Sequence, residues 1–154
     1  MNQYEEKLKK FIQENKIQAQ HLSFNQSCHS VQDAAKAVNA NTDEFVKNIC
    51  MIDSNENLIV AIVKGEDRAS TSRVAKALEI QRPRTTTPDE ILQKTNYPCG
   101  GTPSFGYKAI FLIDPKVMEK EVIYTGGGSQ NSLVKISTKE LQKANNAKII
   151  RVRK

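Results

Sequence analysis

No run of apolar residues in this chain approaches the roughly 20 needed to cross a bilayer as a helix. The first ten residues are polar, include Glu5 and Glu6, and lack the apolar core of a secretion signal. A cytoplasmic protein is expected. Cysteines number three, Cys28, Cys50 and Cys99, and none forms a CxxC pair. An odd, unpaired set argues against a disulfide framework and against zinc. The two histidines, His21 and His29, add no metal-ligand spacing, so neither metal nor other cofactor is expected. Linkers, repeats and low-complexity blocks are also missing. What remains is 154 residues, 38% hydrophobic and 26% charged, the profile of one soluble globular domain over 1–154.

The formal net charge is +6. A basic balance favours anionic partners such as nucleic acid. It reads equally as a solvated basic surface, because the charges are scattered along the sequence. The densest cluster is the tail, 148–154, with four cations in seven positions. There Ile149, Ile150 and Val152 alternate with charge, as in a half-buried strand.

Tyr4, Leu8, Phe11 and Ile12 recur at helical spacing and predict a first helix, followed by a polar stretch to about His29. Ser30 caps a helix through Val38, with Asp33 placed for a reciprocal cap. Residues 49–52 and 58–63 are apolar runs around a polar turn, a hairpin at the centre of a sheet. Residues 70–78 return to helical spacing. Thr87, Pro88 and Glu90 start another helix, which ends before Pro98. Strands are expected at 109–113, 122–125, 133–136 and 148–152. Ser137 and Glu140 repeat the capping pattern for a last helix. The class is α+β, one compact domain with a mixed sheet able to close on itself.

Chemistry points first to the loop 98–106, with three glycines and two prolines. Paired glycines let a ligand approach the main chain, and consecutive N–H groups can face an anion or a developing oxyanion. The same composition also makes a tight structural turn. Gly126, Gly127, Gly128 and Ser129 form a second cluster between two strands. It is neither a P-loop nor a dinucleotide fingerprint, and reads as a hairpin tip or a second backbone surface. Lys47 stands at the head of an apolar strand beside Asn48. It reads as an edge charge snorkelling to solvent, or as a cation holding a phosphate or ribose with Asn48 adding a donor and an acceptor. Cys99, with His29 as base, is a candidate nucleophile of a third kind. No Ser-His-Asp spacing is legible.

The order of these features carries a resemblance. His29-Ser30-Val31-Gln32-Asp33-Ala34-Ala35 is followed by Val46-Lys47-Asn48-Ile49. Then come Gly100-Gly101-Thr102-Pro103-Ser104-Phe105-Gly106 and Gly127-Gly128-Ser129. From about Phe24 onward the series resembles the YbaK/EbsC and ProX family of trans-editing aminoacyl-tRNA deacylases, related to the editing domain of bacterial prolyl-tRNA synthetases. The resemblance implies a barrel-like mixed sheet flanked by helices. It also implies hydrolysis of the ester joining an amino acid to the terminal adenosine of tRNA. Lys47 matches the family's essential lysine, an anchor for the 3′-terminal nucleotide, and Asn48 the asparagine after it in the ProX-like branch. Gly100, Gly101 and Pro103 match the loop framing the aminoacyl group; Gly127 and Gly128 match a second glycine turn. Lys47 and Gly101 are the expected catalytic positions. Thr102, Ser129 and His29 join the others as substrate-binding candidates. Aminoacyl-tRNA is the expected partner, and prolyl-tRNA synthetase a further one.

An aminoacyl ester is already activated, so a catalyst need only hold it, place a water and stabilise the oxyanion. The substrate's own hydroxyl or amine could assist. Two departures bear on specificity. Cysteine-directed relatives carry a basic Gly-Lys-Arg-Gly type turn, whereas residues 126–132 hold no cation, which speaks against cysteinyl specificity. Ser104 stands where many relatives have a second proline. A non-catalytic tRNA-binding or synthetase-docking module of the same fold is the alternative.

Overall fold

The first helix, α1 (Gln3–Glu14), is capped by Asn2, whose side chain accepts the Glu5 N–H at 2.9 Å. The computed structural model describes residues 2–28 and 30–154, and the expectation for His29 lies outside them. Leu8 and Ile12 face inward as their spacing requires, and Glu5 shares their buried face. Strand β1 (Ala19–Ser23) occupies the stretch expected to be a polar connection. Helix α2 (Val31–Val38) starts at Ser30, which accepts the Asp33 N–H at 3.0 Å; the reciprocal half of that cap does not form. A 3-10 turn, Thr42–Glu44, leads into the hairpin β2 (Val46–Ile52) and β3 (Leu58–Lys64). Its turn is held by the Asp53 carboxylate, which accepts the N–H groups of Asn55 and Asn57, both at 2.9 Å.

Helix α3 (Thr71–Leu78) and the short strand β4 (Arg84–Thr85) follow. In α4 (Pro88–Thr95) the full reciprocal cap between Thr87 and Glu90 is present, with Pro88 in the first turn. Then come β5 (Ile110–Ile113), α5 (Pro115–Met118), β6 (Val122–Gly126) and β7 (Ser132–Ser137). Helix α6 (Thr138–Asn145) and β8 (Lys148–Ile149) close the chain. Ser137 caps α6 as expected, but Glu140 does not return the bond; its carboxylate accepts the Gln18 N–H at 3.0 Å instead.

The strands divide into two sheets, β1-β7-β6 and β4-β2-β3-β5-β8. The larger is mixed: β2 and β3 are antiparallel, whereas β3–β5 and β5–β8 are parallel. Closure takes the form of a corner. Phe45, just before β2, bridges Tyr124 of β6, and their rings stack with centroids 4.9 Å apart. Strand β3 is central and buried on both faces, which explains its unbroken apolar sequence. Leu58, Val60 and Ile62 join Leu8, Tyr97, Phe105 and Ile136 in one core, and Ile59, Ala61 and Val63 meet Met51, Val74 and Val152 in a second. Each buried Val, Leu, Ile, Met or Phe among them stabilises the fold by about 1.5–3 kcal/mol.

Candidate active site

Pairing along β2 is incomplete. Strand β4 pairs with Met51 and Ile52, and the outer edge of residues 46–49 has no strand partner among the described residues. The Thr86 N–H bonds to the Cys50 carbonyl, and backbone alternation then turns the N–H and C=O of Asn48 toward the same open edge. Between this edge, α2 and β6 lies a pocket of about 240 Å³. Its walls include Lys47 and Asn48 on β2, Val31 and Ala34 on α2, and Tyr124, Thr125 and Gly126 on β6. Cys99, Gly100 and Thr102 of the loop close the remaining side.

Lys47 and Asn48 leave opposite faces of β2, because side chains in a strand alternate. Lys47 is half-buried, and its side chain makes no hydrogen bond or ion pair with the described residues. The nearby Glu66 is already paired with Lys64 at 3.0 Å. An amine of a pocket-lining residue with no partner among the described residues is available to a ligand.

Asn48 has the opposite character. Its Nδ2 donates to the Thr102 carbonyl and to Thr125 Oγ1, both at 3.0 Å. Its Oδ1 accepts from Ser104 Oγ at 2.6 Å, and Ser104 Oγ lies 2.6 Å from Thr125 Oγ1. One assignment satisfies every donor: Asn48 to Thr125, Thr125 to Ser104, Ser104 to Asn48. The side chain expected to bind substrate is therefore spent on protein, clamping the glycine loop to β2 and β6. Ser104 is fully buried, and its hydroxyl completes a ring that a proline there would leave open. Ser104→Ala is expected to cost about 1–3 kcal/mol, because buried polar groups of Asn48 and Thr125 lose partners; Ser104→Thr should keep more of it. Thermal melts of the two variants against wild type check this.

Gly100 and Thr102 line the pocket, and neither of their amides has an acceptor among the described residues. The expected catalytic Gly101 does not face it. Its N–H donates to the Pro98 carbonyl at 3.1 Å, and its carbonyl accepts the Gly128 N–H at 2.7 Å. A Cβ on Gly101 would lie 2.5 Å from Ser129 N. Pro103 is buried and its carbonyl accepts the Tyr107 hydroxyl at 2.7 Å. Gly127, Gly128 and Ser129 sit behind the loop rather than in the pocket wall. In this second cluster only Gly126 reaches the pocket, and a Cβ there would overlap the Thr102 carbonyl.

The back of the second cluster is tied to α1. Glu5 accepts Ser23 Oγ at 2.6 Å and Ser129 Oγ at 2.9 Å. Burial works to raise its pKa, but these hydrogen bonds and the nearby His21 outweigh burial and hold the carboxyl below its ordinary value. His21 Nε2 lies 2.7 Å from the Gly127 carbonyl, which fixes that nitrogen as the protonated one. The sequence gives no role to Glu5 or Thr125, and marks Ser104 only by the proline it replaces, not by its hydroxyl. Glu5 carried a signal: it sits three and seven residues before Leu8 and Ile12, on the same helix face.

The thiols divide by burial. Cys50 is pushed up to about 12, first by burial and then by the neighbouring Cys99, and burial also raises Cys28. Both are inert as nucleophiles. Cys99 is exposed at the pocket rim. Among the described residues no group of three or more His, Cys, Asp or Glu side chains converges as metal ligands. No described helix is long and apolar enough to cross a membrane.

Comparison with known proteins places this geometry. A protein of Bacillus subtilis (strain 168), the uncharacterized protein YwhH, is 20% identical over 128 residues, which is 82% of this chain and 81% of that one. Among solved structures, one named "putative trans-editing enzyme for prolyl tRNA synthetase" superposes with a TM-score of 0.92 at 18% identity, covering 100% of this chain and 99% of that one. The hypothetical protein APE2540 gives a TM-score of 0.88 at 22% identity, over 96% and 99% of the two chains. At these identities the structural likeness establishes the fold. The sequence model of the aminoacyl-tRNA editing domain matches residues 25–144, a span that contains Lys47 and both glycine segments. The chain belongs to the aminoacyl-tRNA editing domain family.

Proposed function

We propose that the chain is a deacylase that hydrolyses the ester between a small, wrongly attached amino acid and the terminal adenosine of tRNA. The observation that carries this reading is that Lys47, whose amine has no partner among the described residues, lines the same pocket as Gly100 and Thr102, whose amides have no acceptor among the described residues. Lys47 holds the negatively charged or hydroxyl-rich end of the nucleotide. The loop amides face the carbonyl oxygen, where charge develops as water attacks. At about 240 Å³ the pocket falls below the ~300–1,000 Å³ typical of larger ligands. It holds the aminoacyl end, and the adenosine lies toward the mouth. The water's proton passes to the leaving 3′-oxygen, so neither a covalent intermediate nor a metal is required.

A deacylation panel tests the reading, with tRNA-Pro charged with alanine, cysteine, serine or proline. At least one small non-cognate ester should be hydrolysed. Lys47→Ala should lower kcat/KM on it about 10²–10³-fold, the usual loss when one preorganised electrostatic contact is removed. Cys99→Ala should leave the rate intact. No turnover of these or of other mischarged tRNAs would overturn the proposal. Salt-sensitive tRNA binding without turnover would identify a binding module instead.

A further inference from the structure

The charges that look scattered in the sequence are gathered in space. Residues 67–82 and 148–154 carry eight cations against two carboxylates, Asp67 and Glu79. The whole formal charge of +6 therefore lies in these two segments, and the remainder of the chain is balanced. They are neighbours. The Ser70 N–H donates to the Val152 carbonyl and the Lys154 N–H to the Arg68 carbonyl, both at 2.8 Å. Ala69 bridges Arg153, and Lys148 reaches the Ala77 carbonyl at 3.4 Å. Val152 is fully buried beside Val74, which lays the tail along α3.

Most of these cations are free of carboxylates. Arg153 is the exception, paired with the buried Asp114 at 2.8 Å. Arg68, Arg73, Lys76, Arg82, Arg151 and Lys154 form no ion pair with a described residue. All but the half-buried Arg73 are exposed. Their layer covers the face of the larger sheet toward which Ile49 and Met51 point. Lys47 shares the alternation of those two residues, so its amine leaves β2 on the side where the basic layer lies.

We infer that α3 and the C-terminal tail form a docking face for the phosphodiester backbone of the substrate RNA, outside the pocket that receives its aminoacylated end. The inference takes its substrate from the deacylase reading, but it depends on different residues. Unpaired, exposed cations spread over two adjacent segments suit a polyanion, which gains by releasing its counterions. Contacts of this kind position an RNA without reading its sequence.

The test is a triple variant, Arg73→Glu/Lys76→Glu/Arg151→Glu, assayed on full-length aminoacyl-tRNA and on the same amino acid esterified to a CCA trinucleotide. On the full-length substrate KM should rise at least tenfold with kcat unchanged. The slope of log affinity against log salt should fall by about 2–3, near one unit for each phosphate no longer neutralised. The trinucleotide ester should be cleaved at the wild-type rate. Removing as many exposed lysines elsewhere, Lys10→Glu/Lys139→Glu/Lys143→Glu, should leave the salt slope of binding unchanged. If the charge reversals unfold the chain, the neutral set Arg73→Gln/Lys76→Gln/Arg151→Gln serves in their place. An unchanged KM and salt slope in a folded variant would overturn the docking face, as would an equal loss in the control variant. So would binding to anionic vesicles but not to tRNA. Absence of ester hydrolysis, with tRNA binding still dependent on these residues, would sink the deacylase reading and leave the docking face standing.

Discussion

Gly101→Ala is expected to lower deacylation about 10²-fold or more and to lower the melting temperature by several degrees, although the residue touches no substrate. Its added methyl group would sit 2.5 Å from Ser129 N, 2.7 Å from Ser129 Cα and 2.8 Å from the Gly128 carbonyl carbon. All three are backbone atoms, so no side chain can rotate away. The loop must move off the second glycine turn, or that turn must move off α1, where Glu5 holds Ser129. Overpacking of this kind costs about 1–3 kcal/mol, sometimes more, and each kcal/mol lowers the midpoint by about 2–4 °C in a domain of this size. The larger effect is on rate. Gly100 and Thr102 flank the displaced residue, and a shift of about 1 Å at reacting groups costs about 10²-fold.

Gly106→Ala provides the contrast. It has φ +98 but only ordinary contacts, 3.7 Å and beyond, around a new Cβ. Its cost is backbone strain, about 1–2 kcal/mol, at the far end of the loop from the pocket. It should lower stability with much less effect on the rate constant at temperatures where the variant is folded. Melting curves and single-turnover deacylation of the two variants separate steric displacement from conformational strain. Equal rate losses in both would refute the assignment.

Asp114→Ala is expected to destabilise the fold by about 3–5 kcal/mol, the scale for removing one partner of a buried ion pair. The carboxylate is 1% exposed and binds four donors. Oδ1 accepts the N–H groups of Val152 at 2.9 Å and Arg153 at 3.1 Å. Oδ2 accepts the Arg153 guanidinium at 2.8 Å and the Lys116 N–H at 3.1 Å. One side chain thus caps α5 and fastens the tail. Burial works to raise its pKa, and the hydrogen bonds from Val152, Lys116 and Arg153 more than offset burial, leaving it below the usual 3.8. A carboxyl lowered in the folded state stabilises fully above its unfolded pKa, and that stabilisation is lost as pH falls below about 3.8. Wild type should therefore lose stability more steeply than Asp114→Asn as pH falls from about 4 toward about 2, below the unfolded carboxyl titration. Denaturant melts across that range check it; parallel curves would count against the role given to Asp114.

The legible parts of the sequence were those governed by short-range rules. Helical spacing located α1, and Thr87-Pro88 located α4 because capping is decided within four residues. The apolar runs of β2 and β3 were readable because burial on both faces leaves no polar gaps. Strand β1 was not, because Ala19-Gln20-His21-Leu22-Ser23 offers one large apolar side chain, and pairing with β7 more than a hundred residues away makes it a strand. The site followed the same division. Lys47 and the glycine loop stood out through their order along the chain. The work of Asn48 did not, since its partners Ser104 and Thr125 lie 56 and 77 residues away. The reciprocal cap expected at Ser137 failed for a similar reason: a distant N–H, that of Gln18, claimed the Glu140 carboxylate.

Confinement of the entire net charge to α3 and the tail gives the molecule an electric dipole as well as a basic face. A polyanion approaching from solution meets a field that attracts it and also turns the protein. Encounters are biased toward one orientation before any contact forms. The association rate should then exceed that of an isomer with the same +6 spread evenly, most of all in dilute salt, where the field reaches furthest.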